Sequence, residues 1–442
     1  MRFETYDTAL SWLESHVDFE RLTRPRRTPP TLQPVADTLA YLADPHHDYP
    51  TIHVTGTNGK GSTTTLIAAL LQRTGLRVGL YTSPDLHGLN ERIAINAAPI
   101  DDVDLTVVLS RLADVESVTG IVLTRFEILT AAALLHFSDE GVDVAVIEVG
   151  LGGTWDATNV IDSSVAVLTN VDLDHTQVLG PTVGDIARDK VGIFRAGGRA
   201  IVGTTNAIVV SIARERIERI GADGWFVGRD FDVSANDLAL GGRRISMRTP
   251  FALYEDVGLS LHGIHQGANA TTAVVAAEAF LARALGEDVV RRTLGAARMP
   301  GRLEVVALQP TVLVDGAHNP AGIANLVASL EDAFVVAGRR HCVLGMLRGR
   351  DLDEMVEPLV RYGFDAFHCC APVSPRAVPV DEVVAAVRRH GGAATPHPST
   401  ASALAAARAS AGDQDLVVVA GSLYVVAEAR AAALGLTSRH DT

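Results

Sequence analysis

Apolar residues along the chain fall into two alternating patterns. Short runs rich in Val, Ile and Thr are followed by longer stretches whose apolar positions recur at helical spacing. The first pattern is that of strands and the second that of amphipathic helices. TIHVTG, residues 51–56, reads as a strand, and the glycine loop after it opens a helix, STTTLIAALLQRTG, that stops at Gly75. RVGLYTS is the next strand, and residues 102–118 and 127–140 read as helices. VDVAVIEVG and SVAVLTNV are strongly apolar, with the β-branched content of strands covered on both faces. Such alternation predicts an α/β architecture built on a largely parallel sheet.

Pro300-Gly301, in GAARMPGRLEVV, punctuates the pattern, which then restarts. TVLVDGA, a helix from about 320, HCVLGM, a helix from about 351, FDAFHCC and DLVVVAGS form a second, smaller α/β unit before a last Ala-rich helix. The chain therefore divides into domains at 1–298 and 299–442. The Ala-rich tract at 401–412 keeps the apolar spacing of an amphipathic helix, and no repeat of solenoid length is present.

Composition narrows the partners. The 442 residues are 47% hydrophobic and 20% charged, with 38 Lys plus Arg against 52 Asp plus Glu, a balance of −14. That excludes general nucleic-acid or anionic-membrane binding, while a local basic pocket can still hold an anionic substrate. No secretory leader and no membrane-spanning run is visible. The three cysteines, Cys342, Cys369 and Cys370, form no obvious disulfide framework, so a reducing cytoplasm is expected. His368 beside two cysteines suggests half a metal site, but no second half exists, and FDAFHCC reads as the end of a buried strand.

The densest chemistry lies in TGTNGKGST. It misses the usual phosphate-loop spelling: only Thr57 and Asn58 separate Gly56 from Gly59, and Gly61 intrudes between Lys60 and Ser62. A strand entering a glycine loop and then a helix still aims backbone N–H groups and a helix N-terminus at an anion. Lys60 can reach outer phosphates, and Ser62 and Thr63 supply hydroxyls that cap the helix or face Mg²⁺. The bland reading is a tight strand–turn–helix; lysine among the glycines favours nucleotide phosphates. Further candidates fall at strand carboxyl ends, where open α/β sheets place their sites. Glu148 ends VDVAVIE, as a paired core carboxylate or a metal ligand. Asp172, Asp174 and His175 follow SVAVLTN, and Ser83 ends RVGLYTS, where alone it would be a cap or turn residue.

Together these segments resemble the folylpolyglutamate synthase/dihydrofolate synthase family of ATP-dependent Mur-type amide ligases. TGTNGKGS, SPDLHGLNERIAI, LTRFEILTAAA, EVGLGGTWDATNV, DHTQVLGPTVGDIARDKVGI, HQGANA, PGRLEVV and DGAHNP match its motifs in family order over nearly the whole chain. The resemblance implies an N-terminal P-loop-type ATPase domain with a mostly parallel sheet, a C-terminal Rossmann-like α/β glutamate ligase domain, and ATP in the cleft between them. It implies phosphate contacts from Asn58, Gly59, Lys60, Gly61 and Ser62, and Mg²⁺ ligands in Ser83, Glu148 and His175. Asn269, Arg302 and Asp315 are implied to reach ATP from across the cleft. Lys190 in ARDKVGI matches a lysine carbamylated by CO₂; read alone it is a solvated helix lysine with Asp189 as its salt-bridge partner. Asp18, Thr124, Arg125, Phe126, Glu127, Trp155, Asp156 and Ala157 match pterin-contacting positions. Catalysis would fall to Lys60, Glu148, His175 and Lys190.

The implied reaction joins L-glutamate to dihydropteroate or a reduced folate through an acyl phosphate, in a monomer without nucleic-acid or membrane partners. Three positions and one segment depart from the family pattern: Asp85 replaces His, Thr154 replaces Arg, Arg125 replaces an aromatic residue, and LRGRD replaces an Asp-Lys-Asp ending. Thr154 removes a cation near an anionic substrate, and Arg125 is expected to restore one. The alternatives are a Mur-type ligase for another carboxylate, such as a cell-wall precursor, and a nucleotide-binding regulator without catalysis. NERI and FEILTAAA favour the folate branch, and the retained Lys60, Glu148, His175 and Lys190 speak against the regulator.

Overall fold

In the computed structural model, which describes residues 2–20 and 31–436, the strands form three sheets. The largest takes its strands from β1 (Thr51–Thr55), β2 (Val78–Tyr81), β3 (Ile93–Ile95), β4 (Ala98–Pro99), β5 (Val144–Glu148), β6 (Val165–Leu168), β7 (Arg199–Val202) and β8 (Asp223–Phe226). Their order is β4-β3-β2-β5-β1-β6-β7-β8, parallel from β2 to β8, with β3 and β4 antiparallel at one edge. From β1 the chain crosses to β2 on one side, and from β5 it crosses to β6 on the other. The carboxyl end of β1 is thus a switch point, where crevices form in open α/β sheets.

Strand composition accounts for the layers. In β5, Val144 and Val146 join the cluster beneath helix Lys60–Arg73, while Ala145 and Ile147 join the one beneath helix Arg125–Asp139. Both faces are covered, so the strand reads as a continuous apolar run. Helix Ile264–Leu281 is buried on nearly every side and packs on helix Lys60–Arg73. A feature absent from the sequence reading is a three-stranded antiparallel sheet, β9 (Asp232–Ala239), β10 (Gly242–Arg248) and β11 (Leu253–Leu259). Its Ile245, Met247 and Val257 close the same core. The two-residue Leu240-Gly241 turn between β9 and β10, followed by Gly242, is the hairpin signal that could have revealed it.

The third sheet contains β12 (Glu304–Leu308), β13 (Thr311–Val314), β14 (Arg340–Leu344), β15 (Ala366–Cys369), β16 (Ala394–Pro396) and β17 (Leu416–Ala420). Its order is β12-β13-β17-β14-β15-β16, all parallel except β12. The Ala-rich tract is the helix Thr400–Ser410, with Thr400, Ala403, Leu404 and Ala407 turned inward at helical spacing. All three cysteines are buried and free, and Cys369 and Cys370 belong to clusters on different sides of the sheet. No described helix is long and apolar enough to cross a membrane.

Ile147 is fully enclosed one residue before Glu148. Ile147→Ala is expected to lower stability by about 2–5 kcal/mol, as large-to-small core changes do. A fall in the urea midpoint, with native secondary structure below it, is the measurement.

Candidate active site

The loop after β1 is shaped by two glycines. Gly59 adopts φ +80, and a Cβ there would stand 2.5 Å from Asn269 Oδ1, so the loop and helix Ile264–Leu281 touch without a side chain between them. At Gly56 a Cβ would collide with Thr169 Oγ1, which donates instead to the Asn58 carbonyl at 2.7 Å. The Asn58 amide donates to Asn170 Oδ1 at 2.9 Å. The helix begins at Lys60, earlier than the sequence pattern indicates.

Two lysines converge on this loop. Lys60 Nζ donates to the Gly56 and Thr57 carbonyls at 3.1 and 3.3 Å, and Lys190 Nζ donates to the same Gly56 oxygen at 2.9 Å. Lys190 is therefore buried rather than solvated, and Asp189 is not its ion-pair partner among the described residues. The Asp189 carbonyl instead accepts from the Thr154 amide and hydroxyl at 3.1 and 2.9 Å. Burial first, and then the Lys60 charge, pushes the Lys190 ammonium down to about 7. Two cations beside a helix N-terminus make a place for polyanionic phosphate.

Glu148 closes one side. Its Oε2 accepts from the Ser83 amide at 3.2 Å, and a Cβ on Gly61 would lie 3.5 Å from the same oxygen. Burial pushes its carboxyl up, opposed by Lys60, the Ser83 amide, Arg302 and Arg92. His175, in a left-handed conformation, lies 3.8 Å from Asp174 Oδ1 and 3.5 Å from Arg350 Nη2. Burial, with the Arg350, Lys60 and Lys190 charges, pushes its imidazole down to about 4, so it is neutral at pH 7, the form that ligates metals. Ser83 and Glu148 are in contact, whereas no hydrogen bond or ion pair joins His175 to either. Carboxylate and hydroxyl oxygens with one neutral imidazole fit a hard divalent ion, and a buried carboxylate among cations calls for positive charge.

The opposite wall comes from the unit built on the third sheet. Asp315 accepts the Leu303 and Ala317 amides, each at 2.9 Å; burial pushes its carboxyl up and Arg302 opposes. Arg302 lies over Gly316, where a Cβ would be 2.5 Å from Nη1. Asn319 caps helix Pro320–Ala333 and exchanges amide hydrogen bonds with Asn58 at 3.2 and 3.4 Å. Its Nδ2 also donates to Asp174 Oδ2 at 2.9 Å, while Arg350 donates to Asp174 Oδ1 at 3.1 Å. Burial alone would raise the Asp174 carboxyl, but His175, Arg350 and His318 hold it well below its ordinary value. Asn319 and Arg350 were not singled out from sequence, although DGAHNP and LRGRD contain them.

On the remaining side, Thr124 and Glu127 form a capping box for helix Arg125–Asp139. Phe126 fills the space that a side chain on Gly150 would take. Arg125 does not stand in for the missing cation at Thr154: it faces Asp18 at 3.6 Å and Glu20 at 3.9 Å. Glu20 pairs with Arg92 at 2.7 and 3.1 Å, and Arg92 Nε donates to Asp85 at 2.6 Å. Two departures from the family pattern, Asp85 and Arg125, thus belong to one network through Glu20 and Arg92, neither of which was singled out, although NERI contains Arg92. Asp156 accepts from Leu151 N at 2.8 Å and from Thr158 N and Oγ1 at 3.1 and 2.5 Å. Trp155 is 56% exposed and Ala157 is buried.

The parallel sheet, its phosphate-type loop and the α/β unit closing over it define the Mur ligase class. Residues 54–277 match the Mur ligase middle domain, and residues 301–423 match the Mur ligase glutamate ligase domain. The chain is 32% identical over 438 residues to the Bacillus subtilis dihydrofolate synthase/folylpolyglutamate synthase, covering 97% of this chain and 99% of that one. It belongs to the dihydrofolate synthase/folylpolyglutamate synthase family. A probable bifunctional folylpolyglutamate synthase/dihydropteroate synthase of Halobacterium salinarum is 38% identical over 91% of this chain, and the chain spans about half the length, 49%, of that relative. The Mycobacterium tuberculosis folylpolyglutamate synthase complexed with ADP superposes with a TM-score of 0.90 at 31% identity, over 97% of this chain and 98% of that one.

Gly59→Ala tests the loop. It is expected to weaken binding of ADP by at least about tenfold, because both the positive φ and the Asn269 contact oppose a side chain. Calorimetric titration of the folded variant checks this.

Proposed function

We propose that this chain is an ATP-dependent ligase that joins L-glutamate to dihydropteroate, to a reduced folate, or to both. Residues 1–298 hold the nucleotide phosphates, and residues 299–442 close over them. The observation that carries the reading is the pair Lys60 and Lys190 on the Gly56 carbonyl, with Glu148 beside the same helix start and Asn319 bound to Asn58 from across the cleft. Membership of the family supports the folate acceptor over a cell-wall precursor.

A carboxylate resists attack by an amine because its leaving group would be oxide. In the proposed sequence an acceptor carboxylate oxygen attacks the γ-phosphorus of ATP, ADP leaves, and an acyl phosphate forms. The glutamate α-amine then attacks the acyl carbon, loses a proton and expels phosphate. Lys60, Arg302 and the N-terminal amides of helix Lys60–Arg73 stabilise charge on the phosphoryl oxygens. Asn58, Gly59, Gly61 and Ser62 form the loop side of the phosphate site, and Asn269 and Asp315 bound the nucleotide opposite. Ser83, Glu148 and His175 would hold Mg²⁺, which supplies charge neutralisation when bound. Thr124, Phe126, Glu127, Trp155, Asp156 and Ala157 shape the acceptor side, where the capping box and the loop bonds of Asp156 give indirect support. The monomer is proposed on the family resemblance alone, and three free buried cysteines support a reducing compartment such as the cytoplasm.

Lys190 is proposed to become a carbamate: its neutral amine attacks the carbon of CO₂, an N–C bond forms, and one proton is released. The buried amine, held near pH 7 by burial and Lys60, has the required neutral form. The product is an anion close to Lys60 and replaces the cation that now donates to Gly56.

Three outcomes are expected. Lys60→Ala and Glu148→Gln retain the wild-type fold by circular dichroism, yet each loses at least about a hundredfold in turnover. Glutamate-dependent ADP release requires dihydropteroate or a reduced folate; stimulation by a muramyl-peptide precursor alone would transfer the assignment to the cell-wall branch. For Lys190, the folded value lies below the ordinary one, so the neutral amine gains as pH rises through about 7 and is lost below it. At constant dissolved ¹³CO₂, the carbamate ¹³C signal should rise across that range and be missing in Lys190→Ala. A pH-independent signal, or none in wild type, removes the carbamate.

A further inference from the structure

The loop after β2, the domain junction and the last helix meet at one place. In the loop, Leu86 packs against the apolar cluster that contains Val425 and Val426 of helix Leu423–Leu434. The junction glycine, Gly301, lies against both: a Cβ there would stand 2.9 Å from Val426 Cγ1 and 3.6 Å from Leu86 Cδ1. Beside this contact, Arg430 of the same helix donates from Nη1 to His87 Nε2. A guanidinium cannot accept, so the His87 ring receives the bond on Nε2 and carries its proton on Nδ1. From Nε, Arg430 also donates to Glu304 Oε1 and Oε2 at 3.0 and 2.7 Å, and Glu304 Oε2 accepts the Gly301 amide at 2.8 Å. A continuous chain of bonds therefore runs from the junction through Glu304 and Arg430 to His87.

Other ties hold the loop to its own unit. Glu91 Oε2 accepts the Leu86 and His87 amides at 3.1 and 3.2 Å. Arg92 Nε donates to Asp85 at 2.6 Å, and the Thr82 amide donates to the Arg92 carbonyl at 3.0 Å. Among these ties lies Ser83, whose amide donates to Glu148 at 3.2 Å. The Leu86 and His87 side chains add contacts from the unit built on the third sheet, and these exist only while the two units are docked. A ligand held in place beforehand binds an ion more tightly than one the ion must order.

We infer that Arg430 and His87 are a positioning pair through which docking of the unit built on the third sheet fixes the Ser83 loop, so that Ser83 and Glu148 can share a divalent ion. This rests on the proposed Mg²⁺ site and adds to it what sets the metal affinity. Both residues act through the loop rather than on the ion.

The test is the affinity of the full chain for a non-hydrolysable ATP analogue, measured by calorimetry with excess Mg²⁺ and again with chelator. The ratio of the two affinities reports the metal, whereas general loss of packing lowers both together. Wild type should bind at least about tenfold more tightly with Mg²⁺, an ordinary coupling between two ligands. His87→Ala leaves the Arg430–Glu304 pair whole and should cut that ratio to about threefold or less, with the affinity in chelator unchanged within about twofold. His87→Gln, which keeps an acceptor, should restore most of the ratio. Arg430→Ala should match His87→Ala, and the His87 variants serve if it does not fold. An unchanged ratio in the folded variants, or an equal fall in both affinities, overturns the positioning pair; if Ser83→Ala still lowers the ratio, the metal site stands. A ratio near one in wild type, or one unchanged in Ser83→Ala, overturns both.

Discussion

Two ammonium groups share one carbonyl oxygen at the start of the helix that follows β1, and this crowding of like charge governs the site. Such an arrangement holds only where the protein fixes both chains or an anion neutralises them. Here the fixing is extensive. Gly56 is pressed against Thr169, Gly59 against Asn269, and Lys190 is carried in from helix Val183–Lys190 on the far side of the switch point. The parallel sheet holds these approaches in register, because β1 pairs with β5 on one side and β6 on the other.

The unit built on the third sheet meets the first at the Asp174 carboxylate and at Asn58. Asp174 receives Asn319 and Arg350 from across the cleft and stands next to His175 in the chain. The same side chain therefore links the cleft contact to the proposed metal site, and Asn319 links it to the phosphate loop through Asn58. Contacts of this kind make cleft geometry and site geometry one problem, so displacement of either wall alters both.

What was legible in the sequence follows the range of each interaction. The loop, Glu148 and the strand order of chemistry were readable because strand, glycine turn and helix are contiguous, and because apolar runs mark where strands end. The Arg92–Glu20 pair spans 72 residues and the Arg350–Asp174 pair spans 176, distances at which pattern carries no pairing information. Lys190 looked solvated for the same reason: nothing local places its amine against Gly56, 134 residues earlier. The antiparallel sheet from Asp232 to Leu259 was missed because polar residues interrupt its alternation, and only its inner face is apolar.

The capping box at Thr124 and Glu127 has an evolutionary consequence. It satisfies the start of its helix without help from the residue it encloses, so position 125 can change identity while the helix remains anchored. A change at position 125 then falls where the backbone is already secured, on the face of the sheet opposite helix Lys60–Arg73. The helix keeps its anchor through the residues on either side of the variable one.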